Sequence, residues 1–176
     1  QALNDALNGT NFILNVHMKL DTGMTRIGFT AYEDEQSLEE MVLAANLPHL
    51  QVEGVFMHFC VADSKAEEDV AFTRLQYQRF ENALVFLESR GIRPELRHCC
   101  NSGATLLYPE YAMDMVRPGL MTYGVYPTEE AGNQLGLRPM LSLYTTVSQI
   151  RDIPAGRDIQ DIHVPASGHC HEPAGI

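Results

Sequence analysis

Positive charge is scarce in this sequence. Lys and Arg number 12 against 23 Asp and Glu, a net charge of −11 over 176 residues. A surface that acidic repels phosphate backbones and anionic headgroups, which excludes nucleic acid and anionic membranes as expected partners. Long apolar runs are missing too: none approaches the roughly 20 residues that cross a bilayer as a helix. The first residues carry no signal-peptide pattern. Cysteine is limited to Cys60, Cys99, Cys100 and Cys170. None forms a Cys-x-x-Cys pair, and the neighbours Cys99 and Cys100 offer poor disulfide geometry. Reduced thiols and a cytoplasmic location are the expectation. The tail His169-Cys-His171, with His163 nearby, lacks zinc spacing, so no metal site is expected. The chain begins at Gln1 and not at methionine, which points to a missing upstream portion.

Hydrophobic residues make up 45% of the chain, enough for one domain with a real core. Residues 1–9 read as the last turns of a helix closed by Gly9. The run Phe12 to Leu20 is a strand, apolar enough for a sheet buried on both faces, and it ends in a glycine-punctuated loop to Gly28. A helix is expected from about Asp34 to Asn46, with Ser37 and Glu40 as a capping box. Val52 to Phe59 is the next strand. A long helix to Arg90 follows, with Ser64 and Glu67 as its capping box and Gly91 as its stop. Its expected core face is Phe72, Leu75, the Arg79 stem, Phe80, Ala83, Leu84 and Leu87. Glu95 to Cys99 is a third strand, followed by a short helix, and Met113 to Val116 a fourth.

This β-α-β-α-β-α-β order predicts a parallel sheet with right-handed crossovers. No Gly-x-Gly-x-x-Gly follows the first strand. Polar clusters fall at the C-terminal ends of four successive strands: Lys19 with Arg26, His58, Asn101 with Ser102, and Arg117 with Gly119. Such clustering is expected at the catalytic face of a (β/α)₈ barrel. The fold class is therefore α/β, with residues 1–139 reading as half of a TIM-type barrel. Residues 140–157 read as the start of a C-terminal β-domain, with Leu141 to Ile150 its first strand and Pro154 to Gly156 a turn, and 158–176 as an irregular tail. A half barrel exposes sheet edges, and poor solubility in isolation is expected.

The stretch Met115 to Tyr126 organises the rest. A strand ending in Arg117 meets Pro118 and Gly119, which open a short helix whose N–H groups can face an anion. A fixed cation beside such a turn suits a planar polar ligand that carries a phosphate.

Four segments, in order, resemble the bacterial alanine racemases, fold-type III enzymes that use pyridoxal 5′-phosphate. They are Lys19-Leu-Asp-Thr-Gly-Met-Thr-Arg-Ile-Gly28, Met57-His-Phe59, His98-Cys-Cys-Asn-Ser-Gly103 and Met115-Val-Arg-Pro-Gly-Leu-Met-Thr-Tyr-Gly124. The resemblance spans about residues 10–157 and implies that the half barrel is the C-terminal half of a TIM-type barrel. It implies that Arg117 donates to the pyridine nitrogen, and that Ser102 with the amides of Gly119 and Leu120 cradles the phosphate. Asn101 shapes that loop or caps the next helix. His58 lies near the ring or is structural. Arg26 matches the arginine near the substrate carboxylate. Lys19 matches a lysine carbamylated in many members; unmodified, it would pair with Asp21. Thr25 and Gly103 stand where the family usually has glycine and alanine.

Two bases of the family are missing. No segment resembles the Lys-Ala-Asn-Ala-Tyr-Gly that carries the cofactor lysine, and no tyrosine follows Gly156. The resemblance implies an internal fragment of an alanine racemase, inactive alone, whose full-length parent is a homodimer acting on a small amino acid, alanine or serine. The racemase domain of a membrane-bound serine racemase of the vancomycin-resistance type is an alternative. A non-catalytic pyridoxal-phosphate-binding module is another.

Overall fold

The computed structural model describes residues 1–32, 35–128, 135–148, 150, 152, 158–159 and 162–163. Residues 1–141 form one compact unit and 142–176 a second. The first unit opens with helix α1 (Ala2–Ala6), followed by strand β1 (Leu14–Asp21), the short strand β2 (Phe29–Thr30) and helix α2 (Gln36–Ala45). Strand β3 (Leu50–Phe56), the long helix α3 (Glu67–Ser89), strand β4 (Leu96–His98), helix α4 (Ser102–Leu107), a 3₁₀ turn (Pro109–Tyr111) and helix α5 (Gly119–Thr122) complete it. All four strands are parallel, in the order β2-β1-β3-β4.

Strand alternation sorts the side chains to two faces. Leu20, Val55, Met57 and Phe59 are buried with Leu38 and Met41 of α2 and Phe80, Ala83 and Leu87 of α3. Each large side chain removed from water in this way stabilises the fold by about 1.5–3 kcal/mol. The other face of β1 is polar: Asn15, His17, Lys19 and Asp21 alternate with Val16, Met18 and Leu20. It is this polar face that becomes chemically interesting.

Several sequence expectations change on contact with the tertiary structure. Neither capping box forms. Helix α2 starts after Glu35 with no side-chain cap, and Ser37 Oγ instead accepts the Thr30 amide of β2 at 2.8 Å. Helix α3 starts after Ala66, and Ser64 Oγ accepts the Ala66 amide at 3.2 Å. Its first turn carries Glu67, Glu68 and Asp69, which favour the positive end of the helix dipole. The stop at Gly91 is as read: φ is +81°, and Gly91 and Ile92 donate to Glu88 O and Leu87 O in a Schellman motif. The buried stripe of α3 is Thr73, Gln76, Phe80, Ala83 and Leu87, so two polar residues replace Phe72 and Leu75 of the expected face. Leu75 is exposed.

The expected fourth strand, Met113 to Val116, does not join the ladder. Asp114 N donates to Arg97 O at 3.0 Å, and Arg117 N to Cys100 O at 2.9 Å. The Arg97 amide, however, donates to Asp114 Oδ2 at 2.8 Å, where a strand would offer a backbone carbonyl. The Asp114 side chain has displaced the ladder bond, and its carboxylate also takes the Arg97 guanidinium.

In the second unit, residues 142–148 are exposed and carry no strand, where Leu141 to Ile150 was expected to form one. A strand exists only where a neighbour accepts its hydrogen bonds, and none of the described residues does so. The expected irregular tail contains a small antiparallel pair, β5 (Asp158–Ile159) with β6 (Ile162–His163). Cys170 and the histidines at 169 and 171 lie outside the described residues.

Candidate active site

His58, Asn101, Ser102, Arg117, Gly119 and Leu120 line one cleft of about 210 Å³. They are separated by up to 62 positions in sequence, yet His58 follows the C-terminal end of β3, Asn101 and Ser102 that of β4, and Arg117 is tied beside them by its amide to Cys100 O, so the loops converge on one side. Asn101 is the N-cap of α4. Its Oδ1 accepts the Ala104 amide at 3.0 Å while its Nδ2 donates to Phe59 O at 3.2 Å, tying the loop to the end of β3. The buried Ser102 Oγ accepts the Met121 amide at 3.3 Å, which joins α4 to α5. A Cβ on Gly103 would come within 3.0 Å of the Asp63 amide and 3.1 Å of Ala62, so glycine lets α4 sit close to the loop after β3.

The turn at Pro118 differs from its sequence reading. Pro118 has φ −79° and ψ 60°, and Gly119 N donates to Arg117 O at 2.8 Å. That is an inverse γ-turn. It engages the Gly119 amide, which was expected to face an anion. The Leu120 amide has no partner among the described residues, and a Cβ on Gly119 would meet nothing within 4 Å.

Arg117 is half-buried and held on three sides. Its Nη2 donates to Met57 O at 2.7 Å and Cys99 O at 3.3 Å, and its Nη1 to His98 Nδ1 at 2.5 Å. A guanidinium has five N–H donors and no acceptor. Among the described residues three are engaged, which leaves Nε–H and one Nη1–H. Because Arg117 can only donate, His98 Nδ1 is an acceptor and its proton sits on Nε2. Burial, with the charge of Arg117 beside it, pushes the His98 pKa down from 6.5 to about 4, so the ring is neutral at pH 7.

Lys19 is buried, and its Nζ donates to Ile27 O at 2.6 Å. It does not pair with Asp21 by hydrogen bond, as an unmodified lysine was expected to. Asp21 Oδ1 instead accepts the amides of Gly23 and Thr25 at 2.9 and 3.0 Å. Burial lowers the Lys19 pKa; Asp21 opposes this, and Arg26 reinforces it. Arg26 lies on the exposed loop between β1 and β2 and does not line the cleft, although its charge reaches Lys19 and His58. Burial and then the charges of Arg117, Arg26 and Lys19 lower the His58 pKa as well, which favours a neutral ring. In the same loop Thr25 adopts φ +56°, the cost of a β-branched residue where glycine would be relaxed.

The chain that builds this cleft is similar in sequence and fold to known proteins. The family model described as alanine racemase, N-terminal domain, covers residues 1–127. The chain belongs to the alanine racemase family. The alanine racemase of Desulforamulus reducens is 43% identical over 145 residues, 82% of this chain and 38% of that protein. That of Carboxydothermus hydrogenoformans is 44% identical over 141 residues, 80% of this chain and 36% of the relative. Among solved structures, the alanine racemase from D-cycloserine-producing Streptomyces lavendulae superposes with a TM-score of 0.75 at 34% identity. The match covers 91% of this chain and 42% of that one. The chain thus spans under half the length of these relatives, and its parallel sheet is part of the TIM-type barrel of the racemase N-terminal domain.

Three residues that sequence reasoning did not single out as functional are built in around this cleft: His17, His98 and Gln76. His98 stood inside a matched segment without a role. The signal for His17 was available, since polar residues at 15, 17, 19 and 21 alternate with apolar ones at 16, 18 and 20. Gln76 gave none, because a glutamine on a long helix is ordinarily solvated. It is fully buried here, its Oε1 accepting Cys60 N at 3.0 Å and its Nε2 donating to His58 O at 3.3 Å and Thr22 Oγ1 at 3.2 Å.

Proposed function

We propose that residues 1–139 supply the cofactor- and substrate-holding part of a pyridoxal 5′-phosphate-dependent alanine racemase, which interconverts L- and D-alanine for cell-wall precursors. The observation that carries this reading is one cleft lined by a hydroxyl, a helix-start amide without a partner among the described residues, and a donor-only cation. That donor set fits the cofactor. Ser102 Oγ and the Leu120 amide suit a phosphate, and the open space over Gly119 leaves room for it. The remaining Nε–H and Nη1–H of Arg117 suit a ring nitrogen that can only accept.

Pyridoxal phosphate, when bound, supplies a conjugated ring that takes up the electron pair left as the Cα–H bond breaks. Arg117 donates without giving up its proton, so it keeps the nitrogen it faces unprotonated and the electron withdrawal through it weak. Weak withdrawal favours prompt return of the proton to Cα, which racemisation needs. His58 sits neutral beside Arg117. Arg26 offers the exposed cation for the substrate carboxylate. Lys19, with its lowered pKa, has the more neutral amine that captures carbon dioxide as a carbamate with release of a proton. The anion so formed would hold Arg26 in place. The two bases that exchange the Cα proton come from the rest of the parent enzyme, a cytoplasmic homodimer.

Binding of pyridoxal phosphate and of inorganic phosphate to this chain tests the reading. Both are expected to bind reversibly, Ser102→Ala weakening both and Arg117→Met weakening only the first. No racemisation of alanine or serine is expected from the 176 residues even at saturating cofactor. Binding of neither ligand would overturn the cleft assignment; activity would overturn the assignment of both bases to absent segments.

A further inference from the structure

Behind Arg117 runs a line of side chains that the cleft itself does not use. His98 Nε2 lies 2.7 Å from His17 Nδ1, and His17 Nε2 lies 3.3 Å from Glu53 Oε2. The direction of every hydrogen in this line follows from its first member. Arg117 can only donate, so His98 accepts at Nδ1 and carries its proton at Nε2. That proton is donated to His17 Nδ1, which must be bare. His17 then carries its proton at Nε2 and donates to Glu53. The line has one consistent assignment, from a cation through two neutral rings to a carboxylate.

Three local features place these groups. Val16 pairs with Val52 and His17 with Gly54, so Glu53 is an extra residue on β3 without a partner on β1. A bulge of this kind re-aims a side chain next to a site. The following residue is glycine, and a Cβ there would lie 2.4 Å from His17 Nδ1, so no other residue leaves room for the ring. Phe56 stacks on His98 with ring centroids 5.0 Å apart and planes 4° off parallel, while the Arg117 guanidinium lies 5.3 Å from the centroid of that same Phe56 ring.

We propose that His17 and Glu53 are positioning residues for Arg117, acting through His98 to fix the guanidinium so that its free N–H donors face the ring of the cofactor. The inference rests on the reading of Arg117 as the cofactor-facing cation. Glu53 holds the tautomer of His17, His17 holds that of His98, and His98 holds the plane of the guanidinium. A carboxylate three groups away from the cleft thereby controls the angle at which the cleft's cation points.

The test uses the full chain, labelled with ¹⁵N. Long-range proton–nitrogen spectra at pH 7 read the tautomer of each ring, and exchange of the Arg117 guanidinium protons reads how firmly it is held. Both rings are expected to carry their proton on Nε2. In Glu53→Leu the His17 ring should become a tautomer mixture and Arg117 exchange should quicken about tenfold. The affinity for pyridoxal phosphate should fall about tenfold with that of inorganic phosphate unchanged. Glu53→Gln keeps an acceptor and should restore the unmutated behaviour. A proton on Nδ1 of either ring overturns the proposal even if Glu53→Leu does not fold. Unchanged Arg117 exchange in a folded Glu53→Leu overturns it as well. If the unmutated chain binds neither ligand, the cofactor reading fails while the tautomers and the exchange rates still judge the relay.

Discussion

Replacing Gln76 by methionine isolates what one buried amide does for the site. The side-chain volume is nearly kept while all three of its hydrogen bonds vanish. Two of them matter most. Gln76 takes the amide of Cys60 and the carbonyl of His58, the two groups flanking Phe59 that a residue on an adjacent parallel strand would pair with. The side chain of α3 therefore extends the sheet by one rung where β3 has ended, and it holds the backbone from which His58 projects. A buried backbone group left without a partner costs about 1–3 kcal/mol, and two are created here. Burying a thioether in place of an amide offsets roughly 1–2 kcal/mol of that. A net loss of about 2–4 kcal/mol is expected, a large share of the ~5–15 kcal/mol that holds a typical domain together. Urea unfolding followed by circular dichroism measures it. Gln76→Glu keeps the acceptor for Cys60 but loses both donors, and its buried carboxylate should regain a donor on protonation, so this variant should recover stability as pH falls. A change below about 1 kcal/mol for Gln76→Met would show that Cys60 and His58 find other partners, and the argument would fail.

Thr25→Gly should stabilise the fold by about 1 kcal/mol, since relief of a strained positive φ outweighs the entropy added to the unfolded chain. A lowered urea midpoint would contradict it. Asn101→Ala removes both the α4 cap and the tie to Phe59 O, and should lower stability by about 1–2 kcal/mol, read as a drop in Tm. His98 should stay neutral until about pH 4 in an NMR titration, against an ordinary value of 6.5. Its folded-state pKa is depressed, so the unfolded chain binds the extra proton between these values. Stability from this group is complete above about pH 6.5 and declines as pH falls towards 4. Ionisation of His98 near 6.5 would refute both the burial argument and the donor count at Arg117.

The cleft was legible because strand ends can be read from sequence. Parallel strands all discharge their loops on one side, so Ser102 and Arg117 could be assigned to one place without knowing a single distance. Helix stops were legible too, as at Gly91, where only glycine relaxes the required φ. The caps were not. Ser37 and Ser64 have the right spacing, but each hydroxyl found a different amide, because a serine accepts from whichever N–H the fold brings within reach. The ladder bond lost to Asp114 and the Gly119 amide lost to the γ-turn are failures of the same kind.

By itself the sequence determined the periodicities, the turn chemistry and the residue types at the strand ends, and so the alternating α/β order and the family. These are local properties, set within a few residues by sterics and by which face of an element is apolar. The tertiary structure alone decided which polar groups meet. His17 and His98 are 81 positions apart, and Gln76 and Thr22 are 54 apart. A hydrogen bond forms or fails within half an ångström, and only the packed sheet, with its bulge at Glu53 and its bare Cα at Gly54, sets distances to that tolerance.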